Sequence, residues 1–265
     1  MSKKYAFGVV ALSLISANVA AQEMKPIFEI GTEVYQETYK ETVNGRDFMQ
    51  EKATMYGVTG TAGLQLNQQH VLKFTGRYAQ GKSDYTGAFQ GQAYGTLQRN
   101  GQDRRTYELR GTYEYTTPLF GQNITPSIGL GYRNLIDKLD QIGAGGYKRE
   151  SEYTFLALGL ESKFAFEGNK LSVTPKFVYN YLLQGTQHSY LTSGTVDNKQ
   201  KNGNGIELSA ALAYTLQDKS VVKITPFYRY WSINDSERTY VSSTTYVIEP
   251  KNKTDEFGVN LTYAF

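Results

Sequence analysis

The sequence predicts an all-β fold: a single transmembrane antiparallel up-and-down β-barrel of ten strands, with short periplasmic turns at one rim and long extracellular loops at the other. Three observations predict it. Segments of about ten residues alternate apolar with polar or small side chains, the pattern of a strand with one face in lipid and one in a lumen. Mean hydropathy is only −0.48 although the chain holds 22 Tyr, as expected where only every second residue meets lipid. The connections between these segments alternate short and long.

The first 21 residues read as a separate object. Lys3 and Lys4 precede an apolar run from Tyr5 to Ile15, and Val19-Ala20-Ala21 offers small residues for cleavage. This is the pattern of a secretory signal peptide over 1–21, with the barrel over 22–265. No later run approaches a helical membrane span. The chain has no Cys, which excludes disulfides and thiolate metal sites, and a net charge of +3 is too small to argue for nucleic acid.

The ten strands follow in order. Phe28, Ile30, Thr32 and Val34 share a face of the first. Tyr56, Val58, Gly60, Ala62, Leu64 and Leu66 share one on the second; Leu72, Phe74, Gly76 and Tyr78 on the third. The fourth gives Tyr107, Leu109, Gly111, Tyr113 and Tyr115, and the fifth Ile124, Pro126, Ile128, Leu130 and Tyr132. The sixth carries Leu156, Leu158 and Leu160 within an almost wholly apolar stretch, so alternation fixes its phase least. The seventh runs through Leu171, Val173, Pro175, Phe177, Tyr179 and Tyr181. The eighth runs from Ile206 to Tyr214, the ninth from Val222 to Tyr230. The last, Phe257, Val259, Leu261, Tyr263 and Phe265, alternates to the final residue.

Short turns are expected at 67–69, 117–123, 167–169 and 217–219, and long loops at 40–52, 80–104, 134–151, 183–204 and 232–253. An even strand number places both termini at the rim of the short turns. Ile124-Thr125-Pro126, Val173-Thr174-Pro175 and Ile224-Thr225-Pro226 recur about fifty residues apart. Each is expected to open a strand, where a residue without an N–H is tolerated.

The opposite face carries the charges. The lumen-lining residues are Lys73, Arg77, Glu108, Arg110, Glu114, Arg133, Lys176, Glu207, Lys223 and Arg229. Glu29, Glu33, Glu161 and Glu256 complete seven of each sign, arranged so that adjacent strands tend to present opposite charges. Two readings follow: a neutral, ion-paired plug, or a polar channel for a small solute. Barrels of about eight strands are nearly filled by their own side chains, and ten lies near that end.

Chemistry finds little support. His188 stands beside Ser189, with Asp84 or Asp197 as groups that could orient it, but neighbours in sequence do not make a nucleophile–base pair. His70 sits at a short turn, and neither histidine has another nearby in sequence for a metal site. No enzyme activity and no cofactor are expected. The long loops are more informative. Tyr85, Phe89, Tyr94, Tyr190, Tyr240 and Tyr246 stand among Gly, Ser, Thr, Gln and Asn, a composition suited to binding surfaces. The same aromatics could equally pack the loops against each other as a cap. Lys82, Arg99, Arg104 and Arg105 are the best basic cluster.

The closing Tyr263-Ala264-Phe265 resembles the terminal aromatic strand that the barrel-assembly machinery reads in outer-membrane barrels. The ten strands, the size and the Pro226-Phe227-Tyr228 strand entering a long last hairpin resemble the Opc-type adhesin family, which implies adhesion through external loops. Omptin proteases also have ten strands, but their Asp-x-His motif is absent: Thr186 stands two residues before His188. The expected function is surface recognition or adhesion in the outer membrane of a Gram-negative bacterium, with a narrow porin-like channel as the alternative. The expected partners are outer-membrane lipid and lipopolysaccharide, the barrel-assembly machinery, and an extracellular ligand or host surface.

Overall fold

Period-two patterning leaves one stable arrangement in lipid: a sheet that closes on itself and so has no unpaired edge. The computed structural model, which describes residues 24–89, 91–143, 145–166, 168 and 170–265, shows that arrangement. The expected signal peptide, and Glu167 and Asn169 of the third short turn, lie outside the described residues.

Ten antiparallel strands form the wall: β1 (Lys25–Val43), β2 (Arg46–Gln65), β3 (His70–Gly87), β4 (Leu97–Tyr115) and β5 (Gln122–Lys138), then β6 (Lys148–Ser162), β7 (Leu171–Leu191), β8 (Gly203–Thr215), β9 (Val221–Ile233) and β10 (Lys251–Ala264). Each pairs with the strand before and after it, and β10 returns to β1 through a register that includes Val34↔Val259 and Thr32↔Leu261. β1 begins and β10 ends at the rim of the short turns.

The outward face has a sharp vertical structure. On β2 it reads Leu64, Ala62, Gly60, Val58 and Tyr56, then Thr54, Lys52 and Gln50. On β3 it reads Leu72, Phe74, Gly76 and Tyr78, then Gln80, Lys82 and Asp84. Strands β1, β4 and β10 change in the same way, at Gln36, Arg105 and Asp255. A band of exposed apolar side chains thus ends in a tyrosine on β2, β3 and β4, in Val34 on β1 and in Phe257 on β10, and polar residues begin one pleat higher. Tyrosine suits that boundary, with its ring in hydrocarbon and its hydroxyl in water.

The strands run from 13 to 21 residues. At ~3.3 Å per residue, the longest reach about 70 Å, far more than a tilted strand needs for a ~25 Å apolar band. The barrel wall therefore continues beyond the membrane, and this corrects the expected loops. The stretch 40–52 is not a loop: β1 and β2 continue through it to a two-residue turn at Asn44-Gly45, both with positive φ (51° and 75°). Asn-Gly is the pair that accepts this hairpin geometry most readily. The stretches 80–104 and 183–204 are likewise mostly strand, with Gly194–Gln200 pairing back onto β7, and half of 134–151 is strand around a short 3-10 turn at Leu139–Ile142. Only 232–253 is largely irregular, and it holds a small hairpin of Thr239–Tyr240 with Tyr246–Val247.

One local expectation also changes. The prolines do not open their strands: Pro126, Pro175 and Pro226 are the fifth, fifth and sixth residues of β5, β7 and β9. The sheet accommodates two of them by interrupting a ladder. The β4–β5 pairing stops at Ser127, and the β8–β9 pairing skips Thr225 and Pro226. On β6, whose phase was open, Leu156, Leu158 and Leu160 face out while Phe155 and Ala157 are buried inside.

Candidate functional site: a cup above a closed lumen

From the short-turn rim upward, the interior is a stack of layers. The lowest is a polar chamber of about 270 Å³ lined by threonines and charged side chains. Here Lys73 pairs with Glu114 at 2.7 Å, Lys176 with Glu161 at 3.0 Å and Lys223 with Glu29 at 2.6 Å. Arg110 pairs with Glu207 across the lumen.

Above it lies a buried ion network. Glu256 accepts from Arg133 Nη2 at 2.5 Å and from Arg229 Nη1 at 3.1 Å, and it lies 3.3 Å from Arg77. Glu33 closes the network, 3.3 Å from Arg77 and 2.9 Å from Arg229. All ten residues expected to line the lumen therefore point into it. The pairing expected between adjacent strands is incomplete as a description. Arg77–Glu108 and Arg229–Glu256 join neighbouring strands, but Arg133–Glu256 and Arg110–Glu207 span the interior.

Two apolar clusters fill the space around and above this network. One holds Leu135, Tyr153, Phe155, Leu182, Trp231 and Ile233 among its members; the other holds Tyr35, Met55 and Phe227. Phe155 packs edge-on to Trp231 at 5.1 Å between centroids, and the Arg133 guanidinium lies over the Trp231 ring at 5.4 Å. Glycines make room for these rings: a Cβ at Gly131 would overlap the Phe155 ring, and one at Gly205 would crowd Trp231. With these rings and ion pairs together, the lumen is occluded.

A second ionic layer lies higher, one not expected from the sequence. Arg104 is held by Glu37, Glu51 and Asp137, and Arg149 by Glu41 and Glu249. All seven side chains are almost completely buried. The signal was available in parity. Glu29, Glu33, Glu37 and Glu41 all fall on the inward face of β1, alternating there with Gly31, Tyr35 and Tyr39, and a loop over 40–52 would cut that row short.

Above this layer the barrel opens at the long-loop rim into a cup of about 980 Å³. Its floor is Arg149 between Glu41 and Glu249, with the Tyr39 hydroxyl donating to Glu41 at 2.8 Å. Its walls include Phe48, Met49, Phe89, Leu139, Ile142 and Ile248. The Glu249 carboxyl is held well above the usual carboxylate range, chiefly by burial; Arg149 opposes the shift, and Glu41 and Asp137 add to it.

Of the six loop aromatics, Tyr85, Phe89 and Tyr94 come together around this cup. Tyr85 is a strand residue of β3, not a loop residue. Tyr190 is also a strand residue; it stands on the outer wall, donating to Glu150 at 2.9 Å with Lys148 over its ring. Tyr240 and Tyr246 face each other across the small hairpin, both exposed. Lys82, Arg104 and Arg105 do not form one basic surface, because Arg104 is buried inside while Lys82 and Arg105 point outward. His188 bonds Asp197 at 2.7 Å on the outer wall, whereas Ser189 points inward, so the two do not form a nucleophile–base pair. At the opposite rim His70 lies 2.5 Å from the Tyr113 hydroxyl.

No protein-family model matches the sequence, and no curated protein matches it. Among solved structures, the chain is similar to the outer membrane protease OmpT from Escherichia coli. That match has 10% identity over 91% of this chain and 96% of that one, with a TM-score of 0.58. It also aligns with the transport unit of the autotransporter AIDA-I from Escherichia coli, at 8% identity over 95% and 93% of the chains and a TM-score of 0.48. A third match is Neisserial surface protein A, at 11% identity over 89% and 95% with a TM-score of 0.31. The OmpT likeness shows the fold alone: a closed ten-stranded antiparallel β-barrel of the outer-membrane type.

Proposed function

We propose that the chain is an integral protein of the Gram-negative outer membrane that recognises an extracellular ligand or host surface through the cup and the loops around it. The observation that carries this reading is the contrast between the two ends of the interior. The lumen is blocked by aromatic rings and buried ion pairs, while the long-loop rim opens into a large cavity with mixed apolar and charged walls. Convergent polar groups in an otherwise apolar concavity are the usual form of a ligand site.

The band of outward apolar residues supports the membrane placement, with lipid and lipopolysaccharide as its surroundings. The aromatic and aliphatic alternation of β10, from Phe257 to Tyr263, supports delivery by the barrel-assembly machinery. The same occlusion argues against the narrow channel. Separation of Ser189 from His188 argues against hydrolysis by that pair.

The test is adherence of bacteria displaying the chain to cultured epithelial monolayers, compared with a variant in which residues 88–96 are replaced by a short Gly-Ser link. This removes Phe89 and Tyr94 while leaving the strands intact. Adherence that depends on the chain and falls with the replacement supports the reading; equal adherence with and without the chain contradicts it.

A further inference from the structure

The outer wall above the apolar band is unevenly charged. On β10 and β1, Lys253 and Lys40 face each other directly in the register, and both are exposed. Their other cross-strand neighbours, Ser232 and Gln50, carry no charge. Like charges directly opposite destabilise a sheet. Lys52 follows one pleat lower on β2, and Arg105 lies two strands further round on β4. Among the described residues, none of these four cations makes an ion pair, although three carboxylates share the face. Asp103 is taken by Lys82 and by Lys138, the latter at 3.6 Å; Asp255 accepts from the Tyr228 hydroxyl at 2.6 Å; Asp84 lies opposite Lys52 without pairing to it. On the opposite side of the barrel, by contrast, Lys148 is paired with Glu150 at 2.9 Å.

A second feature lies in the same stretch of wall. Across β1 to β4 the outer surface holds a recess of about 680 Å³. Lys52 and Arg105 flank it, Gln36, Thr54 and Gln80 supply polar groups, and Tyr56 forms its lower lip at the top of the apolar band.

Height narrows what could sit here. Lys52 and Lys253 stand four residues above the last apolar side chains of their strands, Tyr56 and Phe257, and Arg105 stands two above Tyr107. At ~3.3 Å per residue and a strand tilt of ~40°, that is about 10 Å and about 5 Å above the hydrocarbon. A phospholipid headgroup layer is only ~5–8 Å deep. The cations therefore span more depth than that layer and suit a taller headgroup. Around the wall, β1 and β4 are three strand spacings apart, about 14 Å, which leaves room for two anionic groups.

We propose that this face binds a lipid carrying two phosphates on a sugar headgroup, the chemistry of lipopolysaccharide. One phosphate is held by Lys40 and Lys253, the other by Arg105, with Lys52 between them and the sugars in the recess. This inference rests on the membrane placement in the reading above and names one contact with that lipid. A phosphate between Lys40 and Lys253 replaces their repulsion with two charge-assisted hydrogen bonds.

The test uses the refolded full barrel in detergent micelles. Native mass spectrometry measures the fraction carrying diphosphoryl lipid A, monophosphoryl lipid A or phosphatidylglycerol. Diphosphoryl lipid A is expected to bind at least tenfold more tightly than either of the others. Lys40→Gln with Lys253→Gln, and separately Arg105→Gln, are each expected to weaken it about tenfold, to the monophosphoryl level. Lys148→Gln, on the far side, is expected to leave it within twofold. Equal affinity for diphosphoryl lipid A and phosphatidylglycerol, wild-type affinity in both cluster variants, or no binding of lipid A overturns the inference. So does displacement of the lipid by 10 mM inorganic phosphate, which would mark a site for free anions. The recognition reading is judged separately, by adherence: equal adherence with and without the chain sinks that reading and leaves this site standing, whereas loss of the diphosphate preference sinks only this site.

Discussion

Glu256→Gln is the most informative single change. Glu256 is fully buried and serves three arginines. Arg77 keeps Glu33 and Glu108 when it is lost, and Arg229 keeps Glu33. Arg133 keeps no other ion-pair partner among the described residues, and its Nε and Nη1 already lack partners. The substitution preserves shape but leaves a wholly buried guanidinium facing a neutral amide. Breaking a buried pair by removing one partner costs about 3–5 kcal/mol. At 1.4 kcal/mol per tenfold, that is roughly two to four powers of ten in the unfolding equilibrium. The chain has one Trp, and Trp231 lies under Arg133, so its fluorescence reports the layer directly. Urea unfolding in lipid vesicles, followed at Trp231, is expected to show this loss. Arg133→Met added to Glu256→Gln removes the stranded charge and is expected to restore at least half of it. A single variant within about 1 kcal/mol of wild type would refute the reasoning, because the interior would then be wet enough to screen the pair.

Three further outcomes are expected. Leu261→Arg puts a charge on the lipid face of β10 and is expected to cost about 2–4 kcal/mol in the same unfolding assay if the residue sits near mid-bilayer, whereas Lys253→Glu on the same face, above the band, is expected to change it little. Gly45→Val forces a β-branched residue into a positive φ; faster amide hydrogen exchange confined to the upper ends of β1 and β2 is expected, with the membrane-spanning halves unchanged. Because the folded state holds the Glu249 proton more tightly than the unfolded chain does, its contribution is fully present below the ordinary glutamate range and is lost as pH rises through the folded value. Unfolding free energy is therefore expected to decline with rising pH above the ordinary glutamate range, and Glu249→Gln to flatten that decline.

The membrane half of this molecule was legible because lipid imposes a strict rule. Every outward residue from Phe28 to Val34, or from Phe257 to Tyr263, must suit hydrocarbon or a tyrosine boundary, so parity shows in the sequence. Above the band both faces of the wall tolerate polar residues. Thr38, Lys40, Glu41 and Lys52 look alike in composition whether they form loop or strand, and the extension of β1 and β2 was lost for that reason. Asn44-Gly45 was the one local sign of a hairpin there. The lower charges were found from their parity. Their pairing was not, because Arg133 and Glu256 meet through the third dimension, 123 residues apart in sequence. The cup floor was missed for both reasons: Arg149 and Glu249 lay in stretches taken as loops, and they meet only when the ring closes.

The occluded lumen is the claim on which the functional reading turns, and single-channel recording in planar bilayers tests it most directly. The intact chain is expected to be electrically silent, and a variant carrying Phe155→Ala, Trp231→Ala and Arg133→Ala together to show steady openings. Steady ohmic conductance from the intact chain would contradict the account.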